Sequence, residues 1–315
     1  VVPKIELFVL RAQLAMAMKK YEVALDTINE GTVFYPDFIP LMNEKCNCLM
    51  SLTEWEQFNE VSQEITTRDS SNILATKCIA FNELAREGSI DNAYMRLREL
   101  ENIIDRKEGK NAILLFEIAQ LFSRICGRNL KIIGLLQKFI GKCRKLEPLN
   151  ADFAIELAYE HLMVGDFEKA YAGFQEASSL DESKIEAIAG MIECKIAQGE
   201  IDDAEQQIEF VNVLQMSVGK TSQTAYLEAL LEIKKPSDSP EHFMNALKFV
   251  DNALKMQITY SKTLSSGFSM YSKLNPDFLY SLAELYLSHV SMKEMSEGGE
   301  NATPTQPVGK GLKLL

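Results

Sequence analysis

The sequence predicts an all-α fold, an α-solenoid of helix-turn-helix repeats. Three observations predict it. The stretch beginning at Ala151 and the stretch beginning at Ile185 superpose when one is slid by 34 residues: Leu157 falls on Met191, Gly165 on Gly199, Ala170 on Ala204 and Phe174 on Ile208. Within each stretch, apolar residues at the fourth, seventh, eighth and twelfth positions lay one stripe along a helix at helical period. Small residues, Ala158 with Ala170, stand where two helices of a pair must cross closely.

That period belongs to the tetratricopeptide repeat, two antiparallel helices joined by a glycine turn and followed by a short link. One such unit cannot bury its apolar face alone, so units stack, and the expected product is a right-handed superhelix. The first helices of the pairs line its groove. Gly165 and Gly199 mark the turns, where a left-handed backbone costs glycine little. Asp166 and Glu200 follow them, carboxylates suited to the free N–H groups that open a helix.

Taken in order, the first unit spans 5–38, with Phe8, Ala12, Tyr21, Ala24, Ile28 and Pro36 in register. The second, 39–72, has Trp55 at the aromatic position that opens its second helix. The third, 74–107, carries Gly88, Ile90, Ala93 and Leu97. A longer, degenerate pair fills 112–147 and ends at Pro148. The units 151–184 and 185–218 are the pair that defines the repeat. Beyond them the spacing predicts a unit over 221–256, with helices at 226–233 and 243–256 around an enlarged turn, then an irregular Ser/Thr-rich connector over 257–273. In a last element, 275–290, Asn275 caps and Pro276 takes the first helical position, with the helix ending near His289. Solenoid is therefore expected over 1–290, a flexible polar loop over 291–310, and the start of a further helix over 311–315. The chain opens at Val1 without a methionine and reads as an internal piece of a longer protein.

One motif points elsewhere. Val218-Gly-Lys-Thr-Ser222 resembles the end of a nucleotide-binding P-loop, and Ile208–Leu214 could pass for the preceding strand. A P-loop needs another glycine five residues before Gly219 so that bare N–H groups can cradle phosphate. Leu214 stands there. The repeat frame instead makes 203–214 the second helix of its unit, Gly219 a helix end and Thr221 the cap of the next helix.

Composition sets the remaining bounds. The 315 residues are 46% hydrophobic and 25% charged, as in ordinary folded chains. A net charge of −12 argues against a nucleic-acid backbone as the main partner. Six cysteines at 46, 48, 78, 126, 143 and 194 lie in apolar helical stretches with no C-x-x-C pair, and are read as reduced core thiols. His161, His242 and His289 lie far apart, so no metal site, cofactor site or small-molecule substrate is expected. No nucleophile stands beside a base at usable spacing, so catalysis is not expected either. Neither a signal peptide nor an apolar run of about 18 residues occurs, so no direct membrane insertion is expected.

The groove-facing second, fifth and ninth positions are Glu6, Val9 and Gln13 in the first unit, Asp152, Ile155 and Tyr159 in the fifth, and Glu186, Ala189 and Glu193 in the sixth. These acidic and apolar groups do not form the Lys/Asn/Arg clamp with which chaperone adaptors hold a terminal carboxylate. Asn43 and Asn47 occupy two such positions in the second unit, with no lysine on that face. An acidic groove suits a basic partner segment.

Two stretches go beyond the generic repeat. Asp203–Asn212, followed by Ser217–Lys220 and Ala225–Leu231, resembles a distinctive segment of the tetratricopeptide repeat protein 21 family, the large tetratricopeptide subunit (intraflagellar transport protein 139) of intraflagellar transport complex A. Lys273–Leu279 and Tyr286-Leu-Ser288 match the same region in the same order. The resemblance is strong over 185–315 and only repeat-level over 1–150. It implies an all-helical, non-catalytic scaffold that supports retrograde ciliary transport and cilium assembly. It further implies other complex A subunits as partners, and a place at the cilium and basal body on the cytoplasmic side. No partner-binding residue carries over from it. The other reading is a generic cytosolic tetratricopeptide adaptor that binds peptides or chaperones. Under either reading Ala12, Ala24, Gly88, Ala93, Ala158, Gly165, Ala170, Phe174, Gly199 and Ala204 are the residues expected to build the helix pairs.

Overall fold

A computed structural model of the chain describes residues 4–216, 219–235 and 240–297. Sixteen helices make up its regular structure among those residues. The chain divides into two compact units: the residues through Leu146 together with Leu264–Lys273, and Glu147–Thr263 together with the residues from Leu274 on.

Unit one contains α1 (Ile5–Ala17), α2 (Tyr21–Phe34), α3 (Ile39–Leu52), α4 (Trp55–Arg68), α5 (Ile73–Ala85), α6 (Ile90–Lys107), α7 (Ala112–Ile125) and α8 (Leu130–Leu146). Each odd helix packs on the even helix after it. The odd helices also pack on one another, α1 on α3, α3 on α5 and α5 on α7. That second set of contacts is what stacking of repeats requires. In unit two α9 (Ala151–Met163), α10 (Phe167–Leu180), α11 (Ile185–Gln198), α12 (Ile201–Gln215), α13 (Ser222–Lys234) and α14 (Pro240–Ser261) follow the same rule, with α9 on α11 and α11 on α13.

Local chemistry explains the helix starts. Asn72, Asn111, Asn150, Asp166 and Thr221 each accept a backbone N–H of the first turn through the side-chain oxygen, at 2.9, 3.0, 3.1, 3.3 and 3.2 Å. Each satisfies a donor that the helix itself cannot. Glu200 departs from expectation: its side chain makes no cap bond and instead lies 3.7 Å from Lys195 Nζ. The turn inside each pair from α1–α2 to α11–α12 contains a residue at positive φ. Gly88, Gly165 and Gly199 fill that place, and so do Lys19 and Thr53, at φ 58° and 62°.

The stretch that resembles a P-loop is a turn. Ile208–Leu214 lie within α12, and Gly219 at φ 91° donates its N–H to the Gln215 carbonyl at 2.8 Å. Thr221 then caps α13. Val218 lies outside the described residues.

Three expectations in the last third change. The first helix of the 221–256 unit is longer than 226–233, running from Ser222 to Lys234. The 257–273 connector is mostly helical: α14 continues to Ser261, and a separate short helix, α15, spans Phe268–Leu274. Finally α16 (Pro276–Glu297) passes the expected end near His289, so 291–297 are helix and not loop. The rest of the expected loop, 298–310, and the expected helix start at 311–315 lie outside the described residues.

All six cysteines are buried and none forms a disulfide. Burial raises the Cys48 thiol to about 11 and the Cys194 thiol to about 12, and lifts Cys78 well above its ordinary value. Such thiols hold almost no thiolate at neutral pH and are poor nucleophiles. Cys46 differs, because a hydrogen bond with Cys78 lowers its pKa, and Ser62 Oγ lies 3.5 Å from its sulfur. An aromatic disulfide reagent at pH 8 is expected to label no thiol rapidly in the native protein and all of them in denaturant. Cys46 should react first as denaturant is raised. Fast native labelling at any position would contradict this packing.

Candidate interaction surface

Of the residues singled out by the 34-residue frame, the alanines and Phe174 lie within helices and the glycines in the turns between them. Ala12, Ala24, Ala93, Ala158, Ala170 and Ala204 are wholly buried, and Phe174 nearly so. A Cβ on Gly88, Gly165 or Gly199 would meet nothing within 4 Å, so it is their positive φ that calls for glycine. In unit two, two further glycines absent from the expected set are needed for room. A Cβ on Gly173 would lie 2.9 Å from the Ala158 Cβ, and one on Gly190 would lie 2.4 Å from the Phe174 ring. Ala158, Ala170, Phe174 and Cys194 form one core cluster.

In unit two the groove positions are not all open. Ala189 is 1% exposed and packs in a core with Ile192, Tyr226, Leu282 and Tyr286, so it lines no groove, contrary to expectation. Tyr159 donates its hydroxyl to Asp277 Oδ2 at 2.8 Å and lies 3.5 Å from Asn275 Nδ2. Asn275, at φ 52°, accepts the Phe278 N–H at 3.2 Å and caps α16. Asp152 is exposed but paired with Lys184 Nζ at 2.5 Å. The start of α16 thus engages the tyrosine that the repeat frame assigns to binding.

In unit one Glu6 and Gln13 remain exposed, and Gln13 Nε2 donates to Glu44 Oε1 at 2.7 Å. Around α3 to α5 the frame's small residues give way to rings. Phe58 takes the position held by Ala24 in the first unit, and Phe81 takes the position held by Ala12. Trp55 lies 6.2 Å from Phe81, stacked, and 6.1 Å from Phe58, edge-on. α15 completes the cluster: Phe268 lies 5.4 Å from Phe81 and 6.3 Å from Phe58, and Tyr271 lies 5.0 Å from Phe81. Lys77 Nζ sits 4.3 Å above the Phe268 ring, and burial lowers its pKa. The Arg86 guanidinium lies 5.2 Å above Trp55. Sequence reasoning missed this cluster. The available signal was a phenylalanine at two positions where the repeat wants alanine.

Two apolar faces look outward. Leu7, Leu10, Leu14 and Met18 follow one side of α1 and are more than half exposed. The counterparts of Leu7 and Leu14 one repeat later, Leu41 and Cys48, are fully buried against the α1–α2 core. On α12, Phe210, Val213 and Met216 are likewise exposed. A surface depression of about 470 Å³ is lined by α6 alone, including Met95, Arg98, Glu99 and Arg106. A hollow walled by one helix does not enclose a small molecule as ligand pockets do. Among the described residues no cluster of three metal-ligating side chains occurs, and no helix is long and apolar enough to cross a membrane.

Paired, stacked helices of this kind recur in solved structures. A tetratricopeptide repeat protein from Parabacteroides merdae superposes with a TM-score of 0.61 over 86% of this chain and 98% of that one, at 11% identity. PilW, a type IV pilus biogenesis factor, does so with a TM-score of 0.54 over 68% and 94%, at 14% identity. These likenesses show the fold, an α-solenoid of helical repeats. A family model, the tetratricopeptide repeat protein 21 second ARM domain, matches residues 95–314. The chain belongs to the tetratricopeptide repeat protein 21 family. Human tetratricopeptide repeat protein 21B is 33% identical over 288 residues, 91% of this chain and 22% of that protein. Mouse tetratricopeptide repeat protein 21A is 29% identical over 294 residues, 93% of this chain and 22% of that protein. The chain therefore spans about a fifth of the length of these relatives. Likeness to the family also reaches well into 1–150, further than the two distinctive stretches implied. Alanines such as Ala12 and Ala24 are common to tetratricopeptide repeats at large, so in sequence they mark the repeat and not the family.

Proposed function

We propose that the chain is a segment of a non-catalytic protein–protein interaction scaffold that works as a subunit of intraflagellar transport complex A. In this reading it supports retrograde ciliary transport and cilium assembly, with other complex A subunits as partners and the cilium and basal body as its location. Membership in the tetratricopeptide repeat protein 21 family carries the reading. The physical support is a fold that spends its residues on surface: stacked helix pairs, with an apolar face left outward along α12. Exposed apolar patches of this kind mark protein interaction sites.

The test is affinity purification of the full-length tagged protein from a ciliated cell at moderate salt, with co-purifying proteins identified by mass spectrometry. Other complex A subunits are expected in near-equal amounts. Recovery of chaperones or unrelated proteins alone would overturn the ciliary reading in favour of a cytosolic adaptor.

A further inference from the structure

Residues 264–273 lie between α14 and α16 in the chain, yet they pack as part of unit one. Their path is specific. Gly267 turns at φ 125°, a conformation open to glycine, beside Ser51, whose Oγ donates to the Ser266 carbonyl at 3.3 Å. The turn delivers Phe268 and Tyr271, three residues apart and so on one side of α15, edge-on to Phe81. Lys77 Nζ covers the other part of the Phe268 ring at 4.3 Å, within cation–π range.

We propose that the face formed by Trp55, Phe58, Lys77 and Phe81 is a binding surface for a short segment with two aromatic residues three apart. Residues 264–273 are its built-in, displaceable ligand. Two observations carry this. The acceptor is built into the repeats: Phe58 and Phe81 are wholly buried and replace the alanines of other pairs, while the ammonium of Lys77 selects an aromatic face. The occupant, by contrast, is lightly held. α15 has 7 residues, too short to hold a helix by itself, and none of them is buried. A partner segment of the aromatic-x-x-aromatic pattern would make the same ring contacts and keep the phenylalanines dry as the strap leaves. This inference stands on the geometry of unit one and does not depend on the ciliary reading.

The test uses the full-length chain with the double substitution Phe268→Ala/Tyr271→Ala and a fluorescent synthetic peptide spanning residues 260–275. The peptide is expected to bind the double variant saturably and at least tenfold more tightly than the wild-type chain, whose face is already filled. A peptide with both aromatics changed to alanine should bind neither. Adding Lys77→Ala to the double variant should weaken the peptide by roughly tenfold or more, the range of a desolvated cation–π contact. Equal binding to variant and wild type, or equal binding of the alanine peptide, would overturn the proposal. If the double variant loses helical circular dichroism, hydrogen exchange on the wild-type chain decides. Excess peptide should speed exchange in 264–273 while α3 to α5 stay protected, and unchanged exchange there would overturn the displaceable strap.

Discussion

Replacing Gly190 with valine is expected to lower the stability of unit two sharply. The Cβ alone would lie 2.4, 2.5 and 2.6 Å from three atoms of the Phe174 ring, closer than any real contact. The ring has nowhere to go, since it is 2% exposed and enclosed by Ala158, Ala170 and Cys194. Overpacking typically costs about 1–3 kcal/mol, and two extra methyl groups on a β-branched side chain place this case at the upper end. Denaturant unfolding should show a lower midpoint with an unchanged slope. A double-mutant cycle isolates the cause. Gly190→Ala should cost much less in a Phe174→Leu background than in the wild type, with a coupling of about 1 kcal/mol or more. Additive costs would mean that the ring and the glycine do not constrain each other.

Truncating Phe81 to alanine should cost more, about 3–5 kcal/mol, because a wholly buried ring is removed from the middle of a cluster. Trp55, Phe268 and Tyr271 would all lose a ring partner at once. The chain has one tryptophan, Trp55, so its fluorescence reports on this site without labelling. Red-shifted emission and an earlier unfolding midpoint are expected for Phe81→Ala. Phe174→Ala, in the other unit, should destabilise while leaving native Trp55 emission unchanged. An unaltered Trp55 spectrum in Phe81→Ala would show that the stacked pair is absent.

Much of the helix pairing was legible because it rests on local rules. Alanine at two set positions, a glycine between them and an apolar stripe at helical period mark a pair without knowledge of its neighbours. The turns were harder to read. Sequence reasoning looked for glycine, but Lys19 and Thr53 adopt the same left-handed backbone. That conformation costs a non-glycine residue roughly 1–2 kcal/mol, which packing on both sides of the turn must absorb. α15 was illegible for a different reason. Phe268–Leu274 includes two serines and is brief, so nothing local holds it helical; the rings of α4 and α5 do. The reach of α16 past His289 follows propensity: Met292, Lys293, Glu294 and Met295 are good helix formers, though the stretch lacks an apolar face. Nor could the repeat frame foresee that Tyr159 would be engaged by Asp277, since that contact joins distant parts of the sequence.

The outward leucines of α1 bear on how the molecule comes apart. A helix that buries few side chains opens more readily than one buried along its length. α1 buries only Phe8, Ala12 and Ala15, whereas α5 is buried along nearly its whole length. In unit one α1 should therefore lose order before α5 does. A second apolar row laid along Leu7, Leu10 and Leu14 would bind only the closed form and so delay that opening.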